Sequence, residues 1–297
     1  MDTALVPAGD PILRKASRET LLRLTLGEIR AYQKATVRPD LTTIVVVGDI
    51  SLQDATAVIE RWFGNWMAIG PRPRTILPPV PLNGASSVNV IDLSRRVDSV
   101  ILAEQLQVNR FDADYYPLQL GTQVLGGGFY ATRLYRDLRR VKGYVYSVEV
   151  NLNAADTRAI YSVSYDCSPR NLPKVRAIVE RDLEQMRSSS VSPSELHQAK
   201  ASLLRQILLR ESSDDELASD ILDRAEMGLA LDEPIKAAKK YIELDEEAVR
   251  TAFARDISIR NLVQVVRGPQ LSSGDFRIQS TFRSISSRRH YSPTFRH

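Results

Sequence analysis

The sequence has few of the side chains that bind metal ions or attack carbonyl groups. It contains one cysteine, Cys167, and three histidines. A single cysteine excludes an internal disulfide and a cysteine-rich metal cage. The zinc motif H-E-x-x-H, its inverse H-x-x-E-H and the nucleophile motif G-x-S-x-G do not occur. The residues therefore predict neither a catalytic nor a metal-binding site in this chain.

The positions of the histidines in the sequence also do not favour binding of one metal ion by several side chains. His197 lies two residues after Glu195, and side chains at that spacing point to different faces of a helix. His290 and His297 lie in the segment 273–297, which we predict to be a disordered basic tail. A run of charge of this kind is typical of a solvated tail, and we expect no nucleic-acid partner.

Long apolar runs are missing as well. The run "TTIVVVG" has seven residues, far short of a membrane span, and it predicts a buried strand. The first residues lack the charged start and apolar stretch of a signal peptide and look like the interior of a longer chain. With 43% hydrophobic and 26% charged residues, the composition is typical of a globular protein.

Residues 1–69 predict the end of an α+β unit. Thr25 and Glu28 have the spacing of a capping box, which indicates a helix over "TLGEIRAYQKATV". The β-branched run from Pro39 to Asp49 predicts a strand, and Ser51 caps a helix that follows it. This α-β-α order resembles the end of the later block. We therefore interpret residues 1–69 as the remnant of a first copy of one duplicated domain.

A proline-rich segment separates the two blocks. Gly70–Gly84 holds five of the fifteen prolines, which prevent a helix from continuing and favour an extended backbone. We assign residues 70–85 to a linker and residues 86–272 to the second domain.

The second domain predicts two layers, an antiparallel sheet with helices packed on one face. "SSVNVIDL" and "SVILAEQLQV" are expected to pair, and "YVYSVEVNLNA" and "RAIYSVSYDC" to form a hairpin turned at "ADT". Helices are predicted over "DADYYPLQLGTQVLGG", over residues 171–189, from Ser192 onward with a break near residues 212–215, and over "DEEAVRTAFARDI". The last strand is "NLVQVVRGP".

The stretch "LGGGFYATRLYRDLRRVKGYVYSV" joins the first of these helices to the hairpin. It resembles the glycine run, Ser-Arg-Leu, Leu-Arg and Gly-x-x-Tyr-Ser-Val elements of the insulinase, pitrilysin and mitochondrial-processing-peptidase family of zinc proteases. The matching residues are Gly126, Gly127, Gly128, Arg133, Leu134, Leu138, Arg139, Gly143, Tyr146, Ser147 and Val148, with Thr132 in place of serine. The proline-rich linker also falls where that family joins its two halves.

The resemblance implies a mechanism shared between two homologous α+β halves. In the family, the first half carries H-x-x-E-H and a distal glutamate, which bind zinc and activate water. The second half, which this chain resembles, holds the backbone of a peptide substrate. By position the resemblance assigns this role to Arg139 and Tyr146. Gly126, Gly127 and Gly128 would let the backbone turn beside the peptide.

The zinc-bearing part of the family pattern does not occur in this sequence. We therefore expect no cofactor bound by this chain, and zinc only in a complementary half, either an upstream domain or a homologous subunit. Alternatively, the chain is a structural or assembly subunit, or an inactive truncated homologue, that resembles respiratory-complex core proteins. In that case Arg139 and Tyr146 serve only in packing.

An incomplete first copy would leave apolar surfaces uncovered. We expect Leu41–Val47 and Val58–Trp62 to be exposed and to recruit a partner or cause aggregation. The sequence leaves the compartment open, and the family resemblance implies the periplasm or cell envelope if the source is bacterial.

Overall fold

The computed structural model describes residues 1–127 and 131–269. The predicted basic tail, residues 273–297, lies outside the described residues. The helices are α1 (Asp2–Leu5), α2 (Arg18–Arg23), α3 (Leu26–Thr36), α4 (Leu52–Phe63), α5 (Tyr115–Gly126), a π-helix (Tyr135–Val141), α6 (Leu172–Ser188), α7 (Pro193–Leu209), α8 (Asp214–Glu226), α9 (Glu233–Glu243) and α10 (Glu246–Asp256). The strands are β1 (Ser86–Ile91), β2 (Asp98–Leu106), β3 (Val145–Ala154), β4 (Ala159–Cys167) and β5 (Val263–Gly268).

The strands form one five-stranded sheet in the order β1-β5-β2-β4-β3. The predicted α+β class and the β3–β4 hairpin are confirmed. The predicted pairing of β1 with β2 is wrong, because β5 lies between them and runs parallel to β1. Two strand spacings amount to about 10 Å, a distance that the connection over residues 92–97 easily spans. The last strand of the chain can therefore insert between two strands that follow each other in sequence.

One face of the sheet packs against a layer formed by α5, α6, α7, α9 and α10. The strand β4 alternates between buried and half-buried residues, which places Tyr161 and Val163 in this core. The ring of Tyr161 meets the edge of Phe253 from α10 at a centroid distance of 6.0 Å. The predicted layer of helices on one face of the sheet is thus present.

The opposite face of the sheet is partly covered by the start of the chain. Leu5, Val6 and Val80 pack there against Ala103 and Val263 of the sheet. The helix α1 and the proline-rich segment therefore lie against the second block, a contact that the sequence did not predict.

The tip of the β3–β4 hairpin holds both of these segments. Arg158 donates two hydrogen bonds of 3.2 Å to the carboxylate of Asp10, and both side chains are buried. The hydroxyl group of Thr157 donates to the carbonyl oxygen of Leu77 at 2.6 Å. Hydrogen bonds from Arg158 and Ile12 lower the pKa of Asp10, so the carboxylate stays charged in this pair.

The first block contains the predicted helices but not the predicted strand. In α3, Thr25 accepts a hydrogen bond from the backbone N–H of Glu28, and Ser51 caps α4 in the same way. Residues 42–47 form no strand, because the described residues contain no neighbouring strand for them. Ile44 and Val46 are consequently exposed. The boundaries at residues 69–70 and 85–86 and the domain duplication stay predictions.

The helices of the second block differ from the prediction at one place. The break near residues 212–215 is confirmed, since α7 ends at Leu209 and α8 begins at Asp214. The helix α9 was missed, because its lysine-rich sequence has a narrow apolar stripe that includes Ala237 and Tyr241. None of the described helices is both long and apolar enough to cross a membrane.

The close packing of α5 on α10 is expected to depend on a glycine. A Cβ atom at Gly121 would lie 2.2 Å from Cε2 of Phe253 and 2.9 Å from Cγ1 of Val249. We expect Gly121→Ala to lower the free energy of unfolding by ~1–3 kcal/mol, as overpacking does, in denaturant titrations.

Gly27→Ala is the matched control, because a Cβ atom there would meet only Oγ1 of Thr25, at 3.8 Å. Alanine in this exposed helix is expected to leave stability unchanged or to raise it by up to ~1 kcal/mol. A Gly121→Ala variant as stable as wild type would contradict the packing of α5 on α10.

Candidate functional site

A buried ion pair fixes the segment that leads into the π-helix. Nε and Nη2 of Arg133 donate to Oε1 and Oε2 of Glu195 at 3.0 and 2.8 Å. Glu195 also completes the capping box of α7, where its Oε2 accepts from the backbone N–H of Ser192 at 3.0 Å. One carboxylate therefore joins the family-like segment to the start of α7.

The electrostatics of this pair favour the charged carboxylate. Burial acts against ionisation of Glu195, but hydrogen bonds from Arg133 and Ser192 outweigh it and lower the pKa of Glu195 to about 2. The pair is therefore fully ionised at neutral pH, and the bidentate geometry holds Arg133 in one orientation.

The π-helix and β3 bring Arg139 and Tyr146 together. Cζ of Arg139 lies 4.7 Å from the centroid of the Tyr146 ring and 5.1 Å from that of Tyr135. Both distances fall within the range of cation–π attraction. The Tyr146 side chain is 77% exposed. In the described part of the chain, the guanidinium of Arg139 forms no salt bridge, so its N–H groups remain available to a ligand.

The backbone that presents these two residues is specialised. The basic segment before Gly143 forms a π-helix over Tyr135–Val141, and such turns occur frequently at functional sites. The turn into β3 follows at Gly143, whose φ of +63° lies in the left-handed region. A side chain larger than glycine would strain this turn, which sets the distance between the π-helix and Tyr146.

The glycines of the segment serve close packing where the structure describes them. A Cβ atom at Gly126 would lie 2.3 Å from Cγ2 of Val150, and one at Gly127 would lie 2.0 Å from Oε1 of Gln123. Neither glycine has a positive φ. Gly128 lies outside the described residues. A contact between these glycines and a peptide stays a prediction.

Two other candidate residues are unsuited to chemistry. Burial, followed by the charges of Asp98 and Asp166, raises the pKa of the Cys167 thiol to about 12, so the sulfur is protonated at neutral pH. His197 is exposed on α7. Within residues 1–127 and 131–269, no group of three or more His, Cys, Asp or Glu side chains could hold a metal ion. These residues therefore do not fit the zinc site of the family's first half.

Two contacts of the site were missed in the sequence. Tyr135 lies four residues before Arg139, a spacing that places both side chains on one side of a helix, and this signal could have identified it. No sequence pattern indicated that Glu195 pairs with Arg133, because Glu195 lies 62 residues further along the chain.

The chain matches the model of the peptidase M16 inactive domain over residues 23–203. This chain belongs to the peptidase M16 family. The match covers the first block from α3 onward, the linker, the Arg139–Tyr146 pair and most of α7.

The M16 relatives with curated names are longer proteins. An uncharacterized zinc protease of Mycobacterium tuberculosis is 24% identical over 272 residues, which cover 89% of this chain and 59% of the relative. An uncharacterized zinc protease of Bacillus subtilis is 23% identical over 214 residues, which cover 71% of this chain and 49% of the relative. The chain thus spans about three fifths of the mycobacterial protein.

Solved structures show that the M16 fold is shared. A peptidase M16 inactive domain from Pseudomonas fluorescens superposes with a TM-score of 0.75 at 23% identity, covering 86% of this chain and 60% of that chain. A chain of complex III2 from Candida albicans superposes with a TM-score of 0.74 at 16% identity, covering 88% and 63%.

The Arg133–Glu195 pair predicts a specific pH dependence of stability. Because the folded-state pKa of Glu195 is depressed from 4.5 to about 2, its contribution is present above pH 4.5 and is lost as the pH falls toward 2. We expect the stability difference between wild type and Glu195→Gln, from denaturant titrations, to shrink across this window.

Glu243→Gln provides the control, because Glu243 is exposed at the end of α9 and forms no salt bridge among the described residues. Its stability difference from wild type should stay small across the same window. A Glu195→Gln difference that does not vary with pH would rule out the charged pair.

Proposed function

We propose that this chain is the substrate-binding, non-zinc half of a peptidase. It completes peptide hydrolysis together with a zinc-bearing half, which is supplied upstream or by a partner chain. The observation that carries the proposal is the placement of Arg139 against the exposed ring of Tyr146, where neither side chain forms a hydrogen bond or salt bridge with the described residues.

These two side chains suit the backbone of an extended peptide. A guanidinium and a phenolic O–H can both donate to a peptide carbonyl, and charge-assisted donors strengthen as negative charge develops on that oxygen. The rings of Tyr135 and Tyr146 restrain the guanidinium before a ligand arrives. Less conformational entropy is then lost on binding.

The nucleophile must come from elsewhere. The described residues contain no suitable ligand cluster, and the curated M16 relatives that carry the name zinc protease extend well beyond the matched region. When bound in the complementary half, zinc would supply an activated water. The residues of this chain would orient the peptide and stabilise charge on its carbonyl oxygen.

The first block offers a surface for that half. In α4, Leu52, Val58 and Trp62 are exposed, and they lie on one side of the helix. Residues 42–47 form no strand among the described residues, so they could pair with a strand of that half. An uncovered apolar helix face is typical of a binding interface.

A second candidate function is that of a structural or assembly subunit. The similarity to a chain of complex III2 from Candida albicans supports it. In that case the stacking of Arg139 on two tyrosines is packing alone, and peptide binding is not expected.

Substitutions at the site separate the two candidates. We expect Arg139→Gln to weaken binding of a fluorescein-labelled unstructured peptide by about 10-fold or more, since a hydrogen bond from a charged group contributes ~1.5–3 kcal/mol. Tyr146→Phe should weaken it by about 2- to 10-fold, since a neutral hydrogen bond contributes ~0.5–1.5 kcal/mol. Fluorescence anisotropy with the full chain measures this affinity.

The matched controls are Arg140→Gln and Tyr144→Phe, neighbours of the same residue types. They should bind the peptide as wild type does. Equal binding by all four variants, with unchanged thermal unfolding, would favour the assembly subunit.

Substitutions in α4 test the proposed interface with the zinc-bearing half. We expect Val58→Asp and Trp62→Asp to abolish a one-to-one complex with the H-x-x-E-H-bearing chain encoded upstream or beside this one, measured by size-exclusion chromatography with light scattering. Burial of a carboxylate in an apolar contact supplies the reason.

Ala57→Asp is the control on the exposed, opposite side of α4. It should leave the complex intact. If the Val58 and Trp62 variants form the complex as readily as wild type, the zinc-bearing half does not bind to α4.

A further inference from the structure

A cavity lies between α5, α7, α8 and α9, at the far end of β3 from the Arg139–Tyr146 pair. Its volume is about 520 Å³, within the ~300–1,000 Å³ of typical ligand pockets. Leu152 of β3 lines the cavity and lies roughly 20 Å beyond Tyr146 along the extended strand. Neither Arg139 nor Tyr146 is part of the lining, so the cavity is separate from the site described above.

One wall of the cavity carries two polar side chains that lack hydrogen bonds. Tyr115 and Gln119 lie four residues apart on α5, a spacing that places both on the same side of the helix. In the part of the chain that the structure describes, neither the Tyr115 hydroxyl group nor the Gln119 side-chain amide forms a hydrogen bond, and Oε1 of Gln119 is buried. Buried polar groups are usually hydrogen-bonded. A ligand group that both donates and accepts would satisfy both side chains.

The walls contributed by α7 and α9 are largely apolar. Leu203 and Ile207 lie four residues apart on α7 and so form one surface, to which Ala237 of α9 adds. Tyr241 of α9 contributes a ring that meets the ring of Tyr116 edge to face, at a centroid distance of 5.8 Å. Walls of this kind suit a rigid ring, which buries apolar area and loses little conformational entropy on binding.

The ion pairs around the cavity argue against an anionic ligand. Arg110 pairs with Glu233 at 2.6 Å. Asp220 lies 3.3 Å from Arg224 and 3.4 Å from Arg210. Each of the three guanidinium groups of the lining is thus already matched by a carboxylate. An anion would approach these carboxylates without gaining an unpaired cation, and desolvation of its charge would cost free energy.

The remaining carboxylate of the lining does not favour a cationic ligand either. Asp223 is exposed to solvent on α8, and an ion pair in such a position contributes little. The lining contains three arginines and three acidic residues, so its formal charge is zero. A neutral ligand preserves this balance, whereas a charged one disturbs it.

We infer that the cavity binds a neutral, ring-containing small molecule that carries a hydroxyl group. The ring packs against Leu203 and Ile207 of α7. The hydroxyl group lies at the α5 wall, where it donates to Oε1 of Gln119 and accepts from the hydroxyl group of Tyr115. A small rotation of the Gln119 side chain presents its oxygen to the cavity. This binding activity is additional to the proposed peptide-binding role and does not rest on it.

Naphthalene derivatives of similar shape test the inference with the full chain. The probes are 2-naphthol, which carries a neutral hydroxyl group, naphthalene-2-sulfonate, which is an anion, and 2-naphthylmethylammonium, which is a cation. We expect 2-naphthol to bind about tenfold or more tightly than either ion, because burial of a charge is costly. Equilibrium dialysis with the fluorescence of the ring as readout measures the affinities. No binding of 2-naphthol, or binding of either ion that is as tight, would overturn the inference.

Substitutions on α5 test the position of the hydroxyl group. We expect Gln119→Leu and Tyr115→Phe each to weaken binding of 2-naphthol by about 2- to 10-fold, the effect of losing one neutral hydrogen bond. The matched controls are Gln185→Leu, at an exposed position of α6, and Tyr144→Phe, both outside the cavity. They should bind 2-naphthol as wild type does. Wild-type affinity in both α5 variants would contradict the proposed hydrogen bonds.

A cavity-filling substitution tests the location of the ring. Ile207→Trp should weaken binding of 2-naphthol by about tenfold or more through overlap with the ligand, whereas Leu208→Trp, at the exposed neighbour on α7, should not. Thermal unfolding checks that both variants fold, and the α5 variants decide the question if Ile207→Trp does not. Unchanged affinity in a folded Ile207→Trp variant would overturn the inference. Arg139→Gln should bind 2-naphthol as wild type does, which separates this inference from the proposed function.

Discussion

The ion pair between Arg133 and Glu195 sets the geometry on which the candidate site depends. It joins the segment before the π-helix to the first turn of α7, and both side chains are largely buried. Because two parallel hydrogen bonds fix the guanidinium, the π-helix begins from a defined position. The turn at Gly143 then places Tyr146 beside Arg139. The exposed pair thus rests on a rigid base, as a preorganised binding site requires.

The two blocks of the chain differ in how far they bury their apolar side chains and pair their strands. In the second block, the helix layer covers one face of the sheet and buries residues such as Tyr161 and Phe253. In the first block, Trp62 stays exposed and the run around Val46 finds no neighbouring strand. The contrast agrees with our proposal that the first block contacts another half.

Local signals predicted much of the fold and part of the site. Three kinds of feature were predicted because each depends on residues close in sequence. They are the capping boxes at Thr25 and Ser192, the β3–β4 hairpin, and the family-like segment that contains Arg139 and Tyr146. The insertion of β5 between β1 and β2 depends on distant pairing. The strand predicted around Val46 had the right composition but no neighbour.

The proposed substrate-binding role is tested most directly by cleavage of a quenched-fluorescent, unstructured peptide. The full chain is assayed in the presence of zinc, once alone and once together with the zinc-bearing half. We predict no cleavage by this chain alone. We predict rapid, chelator-sensitive cleavage by this chain and the zinc-bearing half together. The half alone should be far slower, since it lacks Arg139 and Tyr146. Chelator-sensitive cleavage by this chain alone, or equal rates with and without it, would contradict the central claim.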